Sequence, residues 1–423
     1  SNVKMINRNT TLTTDSLNFD RNTHLAYYFT GGKIVDPENT LTSIWGQYNT
    51  QNNDAEFRNK VELKNKNYRM VSDTLLYNTQ TYHAKIVGPT FIRYQDETDI
   101  FSSKGWYNTN QERMMLLNRS KIVHHDGKTM TGDTLFYDKA KKYGEAFVNV
   151  ELTDSLEKST LYGDYVFYDE LKEAGLATDS ALLVDWSTKD TLWIHADTLR
   201  TFKDSIYDVA KGIGNVRMFR NDVQAICDTL HYSSRDSIIS LHGEPVMWAD
   251  NNQLSGEFIQ IFTQNQKAER VHIQQNAIAA QQEDSVNFNQ LSGKEIIAHL
   301  RDGELYRIHV NGNAETIYFP RDDADSTLIG LNKTESSFVV MHLKNKKADR
   351  IVLTSASSGV MYPLGQLTGG DIYLKNFFWV EEQRPTSGTN VLQTFPKPTR
   401  NNPATRNDVG AENPSRAGSS PNR

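Results

Sequence analysis

One short phrase of alternating polar and apolar residues returns along most of this chain, at intervals of about thirty residues. Its copies are DSLNFD at Asp15, DTLLYN at Asp73, DTLFYD at Asp133, DYVFYD at Asp164, DTLRTF at Asp197 and DTLHYS at Asp228, with weaker copies around Tyr48 and Tyr107. Self-similarity at a fixed period predicts a repeat architecture. A two-strand unit cannot bury its apolar face alone, so neighbouring units must pack on one another.

Each copy predicts a β-strand with one apolar face, because side chains two residues apart lie on the same face of a strand. A polar turn follows the phrase, as in DKAKKYG, and then a second strand in the style Val-x-Leu. The predicted inward side chains are our candidate site residues: Leu17, Phe19, Leu75, Tyr77, Leu135, Tyr137, Val148, Val150, Leu152, Val166, Tyr168, Leu199, Val216, Met218, Leu230, Tyr232, Ile259 and Ile261.

The repeats predict an all-β fold. We expect an elongated, twisted antiparallel β jelly roll, that is, a sheet folded over on itself, built from about eleven two-strand units. The units lengthen after about residue 250, where residues 254–277 align without a gap on residues 291–314. We therefore predict that the repeats fill residues 1–383.

Residues 384–423 differ in composition from the repeats. They hold six of the eleven prolines, together with many Asn, Ser and Gly residues. This composition predicts a basic tail without fixed structure.

The charge distribution argues against nucleic acid as a partner. The chain carries a net charge of -6, but residues 384–423 carry +4, so residues 1–383 carry -10. Nucleic-acid binding needs a basic footprint for the phosphates, which an acidic body does not offer.

The sequence predicts no catalytic site, no metal site and no cofactor. The single cysteine, Cys227, excludes a zinc site built from cysteines of one chain. The repeated aspartates fit a structural role, since an aspartate near a strand bonds backbone N–H groups. Asp322, Asp323 and Asp325 offer oxygen ligands of the kind that calcium takes, but the sequence favours a solvated loop, because charged runs in loops usually need no ligand.

The phrases GDTLFYD…GEAFVNVEL, ADTLRTF…GIGNVRMF and DGELYRIHVNGNAETIYF resemble the OstA/LptA-like family of lipopolysaccharide-transport proteins. The resemblance covers most of residues 10–360. It implies an open-edged jelly roll in the periplasm whose apolar interior shelters the acyl chains of lipopolysaccharide. This chain is much longer than the simple single-roll family member.

The resemblance favours a periplasmic lipid carrier that acts in lipopolysaccharide transport and outer-membrane assembly, with any export signal already removed. The expected partners are lipopolysaccharide or a related lipid, and other jelly-roll proteins or a second copy that pair strands end to end. Association with the outer membrane is a further option. The alternative is a glycan-binding or adhesive β-rod, with Trp106, Trp186 and Trp193 as outward platforms.

Overall fold

The structure is a computed structural model that describes residues 3–395, apart from 265–266, 302–303, 323, 345–346, 368–369 and 371. The described residues form antiparallel β-strands and three short 3₁₀ helices, with no α-helix among them. This confirms the predicted all-β, antiparallel fold. Within the same residues, we find no helix with the length and apolar character needed to cross a bilayer. Two compact units divide the chain, an N-terminal unit (Ser1–Gly212) and a C-terminal unit (Ile213–Arg423).

The N-terminal unit combines short strands near its beginning with strands of eleven or more residues further on. Its strands are β1 (Val3–Asn7), β2 (Thr10–Thr14), β3 (Asn18–Asp20), β4 (Leu25–Tyr28), β5 (Gly32–Val35), β6 (Thr40–Ser43), β7 (Trp45–Asn49), β8 (Asp54–Lys64), β9 (Tyr68–Asn78), β10 (His83–Ile86), β11 (Thr90–Tyr94), β12 (Thr98–Ser102), β13 (Lys104–Asn108), β14 (Arg113–His124), β15 (Lys128–Asp138), β16 (Tyr143–Asp154), β17 (Ser159–Asp169), β18 (Ala174–Asp185), β19 (Leu192–Asp204) and β20 (Tyr207–Arg220), which continues past the unit boundary.

The C-terminal unit contains the longest strands of the chain. Its elements are β21 (Val223–Ser233), β22 (Ile238–His242), β23 (Val246–Ala249), β24 (Asn252–Ser255), β25 (Phe258–Gln264), β26 (Lys267–Gln282), β27 (Phe288–Arg301), β28 (Glu304–Tyr318), β29 (Leu331–Lys344), β30 (Lys347–Thr354), β31 (Ser358–Tyr362) and the 3₁₀ helices η1 (Leu364–Gln366), η2 (Glu381–Gln383) and η3 (Asn390–Leu392).

Alternate long strands carry a β-bulge at their middle. In β16 the bulge consists of Val148 and Asn149, with φ of 62° and 51°, and the register shifts between Phe147 and Val150. An extra residue at a bulge breaks the alternation of side chains. Val148 is accordingly 50% exposed, so the prediction that it lies inward is wrong. The next residue on the predicted face, Val150, is buried.

Two of the repeated aspartates, Asp133 and Asp164, lie beside the bulge of β16, in the middle of the preceding and following strands rather than at a strand start. The Asp164 carboxylate accepts a hydrogen bond from the backbone N–H of Asn149, at 3.0 Å. The Asp133 carboxylate accepts one from the side-chain amide of Asn149, at 3.1 Å. Asp164 therefore satisfies a backbone donor that the bulge removes from the ladder, and Asp133 holds the side chain of the bulge, so both have a structural role.

A column of small residues marks the crease at which the strands fold over. Ser72 pairs with Thr90, Thr90 pairs with Ser102, and Ser120 pairs with Gly132 across successive strands. The Ser72 hydroxyl donates to the carbonyl oxygen of Thr74, two residues on, at 2.9 Å. Small side chains let the backbone bend sharply without a steric clash.

Strand β9 shows the fold-over directly. Tyr68 and Tyr77 lie nine residues apart, which would separate them by roughly 30 Å in a straight strand. Both hydroxyls instead hydrogen-bond the side chain of Asn39, at 3.0 and 2.9 Å. The two halves of the strand therefore face each other.

The two halves of the successive strands form two limbs. We call the halves that carry Tyr77, Tyr107, Tyr137 and Tyr168 the aromatic limb, and those that carry Met70, Ile92, Ile122 and Leu152 the aliphatic limb.

The boundary predicted for the tail without fixed structure, residue 384, lies too far toward the N-terminus. Val391 is fully buried, and the Arg384 guanidinium donates from Nε to the side-chain oxygen of Gln224 at 2.7 Å. Residues 384–395 thus make ordered contacts with the C-terminal unit, because this stretch carries apolar side chains that the proline-rich composition conceals. Residues 396–423 lie outside the described residues.

Gly46 supplies a test of the fold in the N-terminal unit. A Cβ atom at Gly46 would lie 2.5 Å from Cζ of Tyr28, whose ring also covers Gly32 and whose hydroxyl shares a hydrogen bond with Ser43. The ring has no room to move, so Gly46→Ala is expected to destabilise the unit by about 1–3 kcal/mol. Thermal unfolding measures this effect. Gly88→Ala, where a Cβ meets nothing within 4 Å, serves as the control and should change little.

Candidate functional site

The deepest positions of the aromatic limb form a continuous apolar ladder. Its members pair directly across neighbouring strands and are all buried: Leu75, Ile86, Leu116, Leu135, Ala146, Val166, Ala177 and Leu199, with Gly105 between Ile86 and Leu116. Leu75, Leu135, Val166 and Leu199 were predicted to lie inward. This ladder is protein core and leaves no open surface.

A second ladder of the aromatic limb lies nearer the strand ends and changes along the unit. It runs through Tyr77, Ala84, Tyr107, Met114, Tyr137, Gly144 and Tyr168. Tyr77 is buried, Tyr137 is half-buried, and Tyr168 is 41% exposed. Equivalent side chains therefore become progressively uncovered from β9 to β17.

The aliphatic limb shows the same change. From β2 to β12 its inward ladder, Leu12, Ile34, Leu41, Leu63, Met70, Ile92 and Ile100, is fully buried. From β14 to β18 the ladder continues through Ile122, Met130, Leu152, Leu161 and Leu183, all of which are half-buried. Apolar side chains of two facing limbs are thus uncovered over the same strands, and we call this region the trough.

A group of polar side chains bridges the limb tips where the trough begins. Glu112, on the aromatic side, accepts hydrogen bonds from Asn67 at 3.1 Å and from Lys139 at 2.8 Å. The hydroxyl of Tyr94, on the aliphatic side, donates to the same carboxylate at 3.4 Å, and the Lys139 ammonium also contacts Tyr94. This polar bridge joins the limbs at β11–β15.

The tyrosines inside the fold are held neutral. Burial raises the pKa of the Tyr68, Tyr77 and Tyr107 phenols far above the ordinary value. Burial also raises the pKa of Tyr137, and its hydrogen bond to Glu170, 2.9 Å long, adds to the effect. Tyr68, Tyr77 and Tyr107 are buried core, whereas the half-buried Tyr137 lines the trough as an uncharged amphipathic ring.

The inward face of the C-terminal unit is covered by its own chain. Residues 372–395, which we call the C-terminal segment, cross the strands and pack on them. Phe378 and Val380 join a cluster with Ile226, Val246 and the fully buried Trp248. A second cluster joins the same segment to the strands through Leu374 and Phe377, against Ile278, Ala280, Phe288, Ile317, Phe319 and Leu331.

Two glutamine side chains hold the C-terminal segment by its backbone. Gln253 donates to the carbonyl oxygen of Phe378 and accepts from the N–H of Val380, both at 2.9 Å. Gln290 makes the same pair of bonds to Ile372 and Leu374, both at 2.8 Å. Each amide replaces one rung of a β-ladder. The two glutamines occupy aligned positions of the duplicated NQLSG phrase.

The remaining predicted site residues divide between the two units. Leu17 is half-buried, and Phe19 lies on the exposed short strand β3 opposite the buried Ala26, where it is exposed. In the C-terminal unit the predicted residues are buried, except for the half-buried Tyr232: Val216, Met218, Leu230, Ile259 and Ile261. The structure therefore brings together in the trough only Tyr137, Leu152 and Tyr168 of the predicted set.

Sequence reasoning missed Ile122, Met130, Leu161 and Leu183 of the trough. Their signal was present, since Leu161 occupies the strand opposite Leu152 and alternates with polar neighbours. Met130 and Leu161 lie in the half of their strand that precedes the Asp-x-Leu-x-Tyr phrase, and Ile122 and Leu183 follow the bulges of strands without that phrase, so the repeated phrase did not mark any of the four.

The tryptophans and the acidic loop have local explanations. Trp106 stacks on His83 with ring centroids 5.3 Å apart, and Trp186 is partly exposed. In the acidic loop, Asp322 and Asp325 accept hydrogen bonds from the N–H groups of Ala324 and Thr327, while Asp323 lies outside the described residues. Within the described part of the chain, no group of three or more His, Cys, Asp or Glu side chains is arranged to hold a metal ion.

Comparison with protein families identifies the unit that contains the trough. Residues 1–73 and 77–193 match the model of the family described as OstA-like protein. The N-terminal unit, which we call the OstA-like unit, is similar to this family. This confirms the resemblance read from the repeats, and the trough strands β14–β18 lie inside the matched residues of the OstA-like unit.

The similarity of this chain to solved structures is low, and the curated proteins give no match. One matching structure is that of LptH from Pseudomonas aeruginosa, described as the LptA homologous periplasmic component of the lipopolysaccharide transport device. It is 15% identical, the match covers 27% of this chain and 82% of LptH, and the TM-score is 0.24.

Proposed function

We propose that the OstA-like unit shelters acyl chains of lipopolysaccharide, or of a related lipid, in its trough during transport across the periplasm to the outer membrane. The observation that carries the proposal is the half-buried ladder of Ile122, Met130, Leu152, Leu161 and Leu183, which follows a fully buried ladder on the same limb. The ladder is covered again at Ile194, which pairs with Leu183, so the uncovered members form one limited stretch, as expected of a binding surface. The match to the OstA-like family supports the same reading.

The trough can bind acyl chains without directional bonds. Each methylene group that leaves water contributes about 0.8 kcal/mol, so roughly ten methylenes contribute about 8 kcal/mol. That gross gain corresponds to a dissociation constant on the order of 1 μM before the cost of association is subtracted. Weak, nonspecific grip of this kind suits a carrier, which must also release its lipid.

The chemistry of the trough supports binding rather than catalysis. Its lining consists of aliphatic side chains and tyrosines whose pKa values are raised by burial. The carboxylate of Glu112 is engaged by Asn67 and Lys139 at the limb tips. We therefore propose a non-enzymatic role that requires no cofactor.

Partner strands fit the first edge of the OstA-like unit. Strand β1 pairs with β2, and an edge strand presents backbone N–H and C=O groups that a further strand can pair with. We propose that other jelly-roll transport proteins, or a second copy, continue the ladder there in the periplasm.

Photocrosslinking tests acyl binding at neighbouring positions of β17. Leu161 points into the trough, and the adjacent Tyr162 points to the opposite face and is exposed. A photoreactive amino acid at position 161 is expected to crosslink to lipopolysaccharide, and the same probe at 162 is the control. The same probe in place of Met70, on the closed part of the ladder, should also remain unlinked. Equal crosslinking at 161 and 162 contradicts the proposal.

A further inference from the structure

A row of cationic side chains crosses five neighbouring strands of the C-terminal unit. Arg270 of β26 pairs with His299 of β27, His299 pairs with Arg307 of β28, Arg307 pairs with His342 of β29, and His342 pairs with Arg350 of β30. Directly opposed residues lie on the same face of a sheet, so these five form one row, which we call the cation row. With strands about 4.8 Å apart, it is roughly 19 Å long.

The cation row lies on the outward face of the sheet. Its neighbours in sequence, Val271 and Ala298, are buried, and side chains of a strand alternate between the two faces. The row members are half-buried or exposed, with Arg350 the most accessible. The row is therefore separate from the inward face that the C-terminal segment covers.

Aromatic rings, rather than carboxylates, hold two of the three arginines of this row, Arg270 and Arg307. The Arg270 guanidinium lies 3.8 Å from the ring centre of Phe262, and that of Arg307 lies 5.7 Å from the ring centre of Tyr306. Among the residues that the structure describes, neither arginine forms a salt bridge. The buried Nε atom of Arg307 and the buried Nε2 atom of the neighbouring His309 also have no hydrogen-bond partner in that part of the chain.

Like charges placed directly opposite one another destabilise a sheet. The histidines reduce this cost by separating the arginines, so that Arg270, Arg307 and Arg350 lie on every second strand of the row. Burial, with Arg307 and Arg270 close by, lowers the pKa of His299. A guanidinium group stays charged at all ordinary pH values, so the row presents three fixed positive charges. This spacing leaves room for an anionic group between each two successive arginines of the row.

We propose that the cation row binds the phosphate headgroups of an anionic lipid surface. One guanidinium group can donate two parallel hydrogen bonds to the oxygens of one phosphate. The positive charge of the row also contrasts with the net negative charge of residues 1–383. The rings of Phe262 and Tyr306 lie beside members of the cation row, against Arg270 and His299 respectively. Aromatic rings favour the boundary between headgroups and acyl chains. A soluble polyanion would need the charges but not the rings.

Vesicle co-sedimentation of the full chain tests this proposal. Wild-type protein is expected to bind vesicles of phosphatidylcholine mixed with phosphatidylglycerol, and to bind pure phosphatidylcholine vesicles much more weakly. Arg270→Gln/Arg307→Gln should bind the anionic vesicles about 25-fold more weakly, about fivefold for each arginine. The control, Arg69→Gln/Arg93→Gln, removes the same charge from arginines that pair with Glu62 and Asp99. It should bind like the wild type.

Arg350 is exposed, so its substitution gives a second variant that does not disturb packing. Arg350→Gln alone should weaken binding to the anionic vesicles about fivefold. Equal binding of the two vesicle types by wild type, or an equal loss in both double variants, overturns the proposal. Binding of sodium tripolyphosphate without binding of vesicles also overturns it, in favour of a soluble polyanion. Acyl binding in the trough can fail independently, because it involves the other unit.

Discussion

Replacing Gln253 by alanine is expected to lower the free energy of opening the C-terminal segment by about 2–6 kcal/mol. The substitution leaves the carbonyl oxygen of Phe378 and the N–H of Val380 without their partner. Gln253 is only 2% exposed, so water cannot readily take the place of its side-chain amide beside these two backbone groups. An unsatisfied buried backbone group costs about 1–3 kcal/mol, and two are created here.

Hydrogen exchange followed by mass spectrometry measures this effect locally. Backbone amides of residues 372–384 should exchange about 30- to 25,000-fold faster in Gln253→Ala. Gln260→Ala is the matched control, since Gln260 is half-buried on the outward face and bonds the side chain of Gln274. Unchanged exchange in Gln253→Ala would show that the amide does not hold the segment.

Charging the trough is expected to weaken acyl binding by about 30-fold, equivalent to about 2 kcal/mol. In Leu152→Glu/Leu161→Glu, two adjacent members of the aliphatic ladder become carboxylates that an acyl chain would have to desolvate. Because both leucines are half-buried, the free protein can keep the new charges in water and remain folded. A titration with a fluorescent fatty acid gives the dissociation constants.

The control for this variant places the same charge on the opposite face of the same strands. Thr153→Glu/Tyr162→Glu alters the adjacent residues, which point away from the trough. Its affinity for the fluorescent fatty acid should match the wild type. Equal weakening in both double variants would mean that net charge, and not the trough, governs binding.

The repeat pattern predicted the strands and the deep core well. Alternation at period two is a local property, so Leu75, Leu135 and Val166 could be assigned to the inward face from their own phrases. Val148 failed because it adopts a left-handed backbone conformation at a bulge, and a β-branched residue carries no sequence signal for that conformation.

Whether an inward face is open could not be predicted from the repeats, because a distant segment decides it. Trp248 and Leu152 each end an apolar pair of a second strand, Val246-x-Trp248 and Val150-x-Leu152, yet Trp248 packs against Phe378 and Val380 of the C-terminal segment while Leu152 is half-buried. The segment is irregular and rich in aromatic residues, so it carries no alternation from which its position could be predicted. The repeated glutamines, Gln253 and Gln290, were visible in the duplication but had no assigned partner.

Native mass spectrometry of the protein, extracted gently from its native host, tests the central claim most directly. The wild type is expected to carry lipid A species or a related acylated lipid, and Leu152→Glu/Leu161→Glu should lose that lipid while Thr153→Glu/Tyr162→Glu keeps it. Wild-type protein that carries no lipid, or a trough variant that retains it at the wild-type level, contradicts the account.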